Sequence, residues 1–218
     1  MKKRYFLICG ALVLVALAAA IFSYPYLPAR VAIHWDLHGN PNGYAPGWSV
    51  FLVGPGMMAA VVVLFALLPW LSPRHFEVEA FARTYLYLMV LFVALVGYVF
   101  AVILVGALTT PVGIDRAVVG GLAVLFALMG NVIGKVKRNF FIGIRTPWTL
   151  ASERVWHSTH RLAGRLMVLT GLAGLVIVAI GAPTAVAITL LVAGPLVAAL
   201  YSLIRYKQLE GRGELEMR

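Results

Sequence analysis

Six stretches of this sequence are each long and apolar enough to cross a bilayer, which restricts them to helices that satisfy their own backbone hydrogen bonds. They cover about residues 5–23, 49–71, 85–108, 117–134, 165–182 and 184–204. At 1.5 Å per residue each run is close to the ~30 Å of a hydrocarbon core. None contains an internal Asp, Glu, Lys or His. Of 218 residues, 62% are hydrophobic and 12% charged, whereas a soluble domain carries about 25% charged residues. The sequence therefore predicts an all-α integral membrane protein with six transmembrane helices. The first run follows Lys2, Lys3 and Arg4 and could end as a signal peptide near Ala16-Leu17-Ala18, but its length favours a retained span.

The positions of the charges set the orientation. The net charge is +10, and the basic residues sit between the apolar runs, which points to membrane topology and away from direct nucleic-acid binding. With both termini inside, 16 of the 18 basic residues lie in cytoplasmic segments. Only Arg30 and Arg116 lie outside. Arg74, Glu77, Glu216 and Arg218 are among the charges counted on the inner side. The expected arrangement is N-in and C-in, in the bacterial cytoplasmic membrane, with the excess charge facing anionic inner-leaflet lipids. Cys9 is the only cysteine and lies in the first run, so no intramolecular disulfide and no cysteine metal cluster can form.

The expected organisation is a two-helix unit over 1–71 with an outer loop at 24–48, a third helix with its connections over 72–116, a three-helix unit over 117–204 with an inner loop at 135–164, and a charged cytoplasmic tail at 205–218. Gly130 with Gly134, and Gly171 with Gly174, suit close helix packing. Pro195 should kink the sixth span. The short link at Gly181-Ala182-Pro183 makes the last two spans antiparallel neighbours.

Chemistry can reside in the two long loops. In the outer loop, Gly39 and Asn42-Gly43 permit a turn, so residues 30–44 are expected to form a small extracytoplasmic hairpin. If the stretch is extended throughout, His34, Asp36 and His38 share one face and could bind a divalent ion. The competing reading is that His34 and Asp36 hydrogen-bond the turn backbone. Trp35, Trp48, Tyr24, Tyr26 and Tyr44 are expected to form an interfacial aromatic belt.

In the inner loop Pro147 demands a non-helical predecessor, and Thr149 or Ser152 can cap a helix that continues into span five. On that helix Arg154, Ser158, Arg161 and Arg165 form a basic stripe, and Val155, Leu162 and Leu166 an apolar one. The pattern predicts an amphipathic helix lying in the interface. Glu153, His157 and His160 share a face with metal-compatible spacing but lack the HExxH order; the alternative is that His160 hydrogen-bonds a neighbouring loop and His157 is solvated. Arg145 is the lone charge in an apolar segment and needs carbonyl or anionic partners, which makes it a functional candidate.

The run from Asn139 through Phe140, Phe141, Ile142, Gly143, Ile144, Arg145, Thr146, Pro147, Trp148 and Thr149, followed by Trp156, Thr159, His160, Arg161, Gly164 and Arg165, resembles the signature of the SdpI-like bacterial immunity family. The outer His34, Trp35 and Asp36 with Gly39, Asn40, Pro41, Gly43 and Tyr44 resemble the small domain of unknown function that often precedes it. The resemblance implies a multi-pass protein that protects its cell from a secreted membrane-active toxin peptide. It also implies a second partner, a cytoplasmic transcriptional repressor. By motif position it marks Asn139, Gly143, Arg145, Thr146, Pro147, Trp148, Trp156, His160 and Gly164 as functional, and in the outer loop His34 and Gly39; the residues add Asp36. His38 and His157 fall where the family has no fixed histidine, which weakens the metal readings.

The expectation is a non-enzymatic immunity or signalling protein without a cofactor. A peptide or small-molecule transporter is one alternative, although coupled carriers place an ionisable group near midplane and these spans lack one. A metal-dependent membrane enzyme is the other, although no P-loop, nucleophile elbow or zincin motif occurs.

Overall fold

The computed structural model describes residues 2–72, 78–109 and 113–215. Arg74, Glu77, Glu216 and Arg218 therefore lie outside the described residues. The elements are α1 (Lys2–Ser23), β1 (Arg30–Trp35), β2 (Pro41–Pro46), α2 (Met57–Leu71), α3 (Ala82–Leu108), α4 (Ile114–Ile133), α5 (Pro147–Ala151), α6 (Glu153–Ala179) and α7 (Thr184–Gly211). Every helix among these but the short α5 belongs to a segment long and apolar enough to span a membrane, giving six candidate spans among the described residues. The chain is a multi-pass membrane protein. Leucines such as Leu7, Leu14, Leu169 and Leu200 are exposed on its flanks, as a lipid-facing surface permits.

Small residues decide how the helices approach. A Cβ on Gly130 would stand 2.6 Å from the Gly164 carbonyl oxygen, and one on Gly164 would stand 2.6 Å from that of Gly130. Gly171 sits equally close to the α4 backbone, 2.7 Å from the Ala123 oxygen. Thus α4 and α6 pack backbone to backbone, where side chains would force them apart. Gly174 meets Ala123 and Ala187, which brings α7 against the same pair. Gly134 is looser, with Arg161 Cγ at 3.6 Å.

On the other flank, α1, α2 and α3 enclose Cys9, Met58, Phe65, Tyr85, Met89 and Phe100. Pro69 lacks the N–H that would bond the Phe65 carbonyl, and Tyr85 Oη donates to that oxygen at 2.7 Å instead. A buried hydroxyl therefore offsets the proline defect within the span. A π-helical turn at Leu52–Gly56 contains Pro55, and Phe100 packs on Gly54 beside it.

Several expectations change. The fold is not purely helical, because β1 and β2 pair antiparallel from Arg30 opposite Pro46 to Trp35 opposite Pro41. The turn lies at 36–40, and Asn42 and Gly43 sit within β2. Gly39 carries the positive φ, at 81°. Gly43 is a glycine for another reason: a Cβ there would stand 2.8 Å from that of His34. The amphipathic inner-loop helix is not a separate interfacial element, since α6 is one uninterrupted helix from Glu153. Of the expected apolar stripe Val155 is fully buried, on a face with Trp156, His160, Gly164 and Met167, while Leu162 and Leu166 are only half-buried. Arg154, Arg161 and Arg165 are exposed, as the basic stripe requires. Trp35 is half-buried against the core, apart from the exposed Tyr24, Tyr26, Tyr44 and Trp48.

Candidate functional site

The chain order puts the hairpin at one end of the bundle, beside the starts of α4 and α7. The 135–152 loop lies at the other end, between α4 and α6. That loop folds around Asn139, which is fully buried. Asn139 Nδ2 donates to the carbonyls of Lys137 and Ile142 at 2.8 and 3.1 Å, and its Oδ1 accepts from the N–H groups of Phe141 and Ile142 at 2.8 and 2.7 Å. Both amide protons and both oxygen lone pairs are used, so one side chain replaces the regular secondary structure that this segment lacks.

His160 closes the same loop from α6. Nδ1–H donates to the Trp156 carbonyl at 2.8 Å, and Nε2 accepts from the Ile144 N–H at 2.9 Å. Accepting at Nε2 requires the neutral ring in its Nδ1–H tautomer. The imidazole stacks on the Trp156 indole with centroids 4.0 Å apart. The indole Nε1–H in turn donates to the Val136 carbonyl at 2.7 Å. Gly143 lies directly over the ring with φ 113°, and a Cβ there would fall 2.3 Å from Nε2. Glycine is required on both counts.

Thr146 caps α5 in a capping box with Thr149, and Pro147 follows at the first helical position. Thr149 Oγ1 reaches the Ile144 carbonyl at 2.8 Å, and Thr146 Oγ1 meets Ser202 Oγ of α7 at 3.0 Å. Ser152 alone caps α6; Thr149, offered above as its alternative cap, instead serves α5. Trp148 is half-buried on the same turn. Arg145 is exposed and Nη1 donates to the Phe140 carbonyl at 2.6 Å, which is the carbonyl partner its isolation calls for.

The hairpin is held differently. Asp36 Oδ1 accepts from the N–H groups of His38 and Asn40 at 2.8 and 2.9 Å. The Asn40 N–H, with that of His38, keeps the Asp36 carboxyl below its ordinary value. His34 Nδ1–H donates to Asn42 Oδ1 across the strands. The turn then rests on the helix starts: Thr184 Oγ1 donates to the Leu37 carbonyl at 3.1 Å and lies 3.4 Å from Asp115 Oδ2. Gly39 faces Asp115 so closely that a Cβ would stand 3.1 Å from its Oδ1.

The metal readings lose their geometry. His34, Asp36 and His38 do not share one extended face, because Asp36 and His38 are in the turn and His34 engages Asn42. Glu153 lies 3.9 Å from Arg138, while both ring nitrogens of His160 are committed. Among the described residues no three His, Cys, Asp or Glu side chains are grouped to hold a metal.

Sequence reasoning missed Thr149 as a hub, Asn42 as the partner of His34, and the clasp of Asp115 and Thr184 on the turn. The Thr-Pro-Trp-Thr spacing carries the signal for the first. The Asp115 and Thr184 clasp joins residues distant in sequence and leaves no local trace.

Comparison with known proteins follows this division. Residues 135–205 match the SdpI/YfhL protein family, and residues 11–59 match a domain of unknown function, DUF1648. The chain is 26% identical over 171 residues to Immunity protein SdpI of Bacillus subtilis (strain 168), covering 78% of this chain and 79% of that protein. No solved structure matches.

Proposed function

We propose that this chain, similar to SdpI over most of its length, is a non-enzymatic immunity protein of the bacterial cytoplasmic membrane that protects its cell from a secreted membrane-active peptide. The observation that carries the reading is the closed loop at 135–152. Its motif residues use their polar atoms to hold one another, and they fall within the segment similar to the SdpI/YfhL family. Such a loop is a rigid platform rather than an open reaction centre. The 16-to-2 distribution of basic residues supports placing this platform inside and the hairpin outside. The hairpin is then the peptide-facing element, and the basic inner end is the face offered to a cytoplasmic transcriptional repressor.

The test is protection. A toxin-sensitive bacterium expressing the chain should survive a membrane-active peptide that kills its parent, and proteoliposomes holding the protein should show no counterflow of the labelled peptide. Counterflow would establish transport in place of immunity. Cysteines introduced at His38 and at Lys137, in a Cys9→Ser background, should react with an impermeant thiol reagent from opposite sides. Reaction of both from outside would overturn the topology.

A further inference from the structure

A cleft of about 600 Å³ opens between the end of α4 and the part of α6 from His160 to Leu169. This is within the ~300–1,000 Å³ of ordinary small-molecule sites. Lys135, Arg161 and Arg165 stand around it with Asn131, and Val168 and Leu169 line its deeper part. The cations are gathered by the glycine contacts described above. Arg161 and Arg165 are one turn apart on the exposed face of α6, and Gly134, which precedes Lys135 at the end of α4, packs against the Arg161 stem, whose Cγ would make ordinary contact with a Cβ there at 3.6 Å.

Some of the other basic residues at this end have acidic partners, as in Lys2 with Glu79 at 3.2 Å, Arg154 with Glu214 at 3.4 Å and Lys207 with Glu210 at 2.7 Å. Among the described residues none of the three cleft cations has a carboxylate within 4.0 Å. Three like charges around one cleft repel one another unless an anion joins them. The position specifies that anion further. Arg165 begins the apolar run of span five, the depth of lipid headgroups, and Leu169 one turn deeper is 63% exposed. A ligand with a phosphate at the rim and a hydrocarbon chain below satisfies both parts, whereas free phosphate leaves Val168 and Leu169 uncovered.

We propose that this cleft is a specific site for an anionic phospholipid of the leaflet at this end, its phosphate held by Lys135, Arg161 and Arg165 and one acyl chain lying along Val168 and Leu169. The site stands independently of which peptide, if any, the hairpin meets. The test uses the full chain in neutral detergent, titrated with phosphatidylglycerol or phosphatidylcholine, with native mass spectrometry counting retained lipid. The wild type should prefer phosphatidylglycerol by on the order of tenfold to a hundredfold, the range that three near-surface cations supply. The variant carrying Lys135→Gln, Arg161→Gln and Arg165→Gln should lose that preference. A control carrying Lys3→Gln, Arg4→Gln and Arg212→Gln removes the same charge from the same end and should keep it. Arg161→Lys should retain most of it, and Leu169→Asn, which leaves every charge in place, should weaken retention severalfold. Equal loss in the two triple variants would reduce the cleft to diffuse surface charge and overturn the proposal. Displacement of the lipid by millimolar inorganic phosphate would overturn it in favour of a soluble anion.

Discussion

The two ends of the bundle are stabilised by the same kinds of polar side chain under different solvation. At the hairpin, Asp36, His34 and Asn42 hydrogen-bond within solvent reach, so water can replace any partner that is lost. At the 135–152 loop, Asn139 and His160 are fully buried, and a lost partner leaves backbone groups with nothing to bond. Apart from Gly39 and Gly43, the exposed end can therefore change its side chains at lower cost. The buried end holds its motif as architecture, and variants there act first through folding.

The strongest challenge to this contrast is Asn139→Leu. It orphans two N–H groups and two carbonyls, so it should cost about 3 kcal/mol or more and appear as a large fall in melting temperature in detergent. An unchanged melting temperature would mean that the loop does not depend on its polar centre.

Gly143→Ala should come next, at about 2–3 kcal/mol, because the backbone there is left-handed and His160 occupies the space a side chain needs. Combining it with His160→Ala removes the clash but not the backbone strain, so the double variant should be more stable than the two single costs imply. Strict additivity, measured as a double-mutant cycle of unfolding, would show that ring and glycine are independent.

Arg145 should separate stability from function. Arg145 is exposed and bonds one carbonyl, so Arg145→Ala should cost about 1 kcal/mol or less in unfolding while abolishing protection in the peptide challenge. Arg145→Lys should not restore protection, since an ammonium lacks the planar guanidinium fork. Full protection by the alanine variant would reduce the residue to a topology determinant.

The smallest effect belongs to the hairpin. Asp36 has a lowered carboxyl value in the fold, so its contribution to the turn is present above the ordinary aspartate range, about pH 3.9, and fades as pH falls through the lowered folded value. Hydrogen exchange at the His38 and Asn40 amides should accelerate there and in Asp36→Ala at neutral pH, with the global melting temperature unchanged. A global change in that variant would make the turn part of the folding core and erase the contrast between the ends.

Much of the candidate site was legible from local pattern. The isolation of Arg145, the Pro147 break and the capping of α6 by Ser152 each depend on neighbours within a few residues. The roles of Asn139 and Gly143 were visible only as a resemblance, because nothing in a single sequence says that an asparagine will be buried or that a histidine 17 residues later will sit over a glycine. Of the two turn candidates in the hairpin, Gly39 takes the turn, although Asn42-Gly43 is the stronger local signal. Asp36 outcompeted it by bonding two amides at once, and the tight approach of Gly43 to His34 used that glycine for strand pairing.

The sequence by itself determined the six spans, because a bilayer accepts only long apolar segments that pair their own backbone, and the distribution of basic residues follows from the same reading. The tertiary structure decided which small residues touch, which polar side chains are buried and which cations share a cleft. Those outcomes depend on helix pairings such as Gly130 on Gly164, and a contact between residues 34 positions apart is fixed by packing across helices rather than by any local preference of the chain.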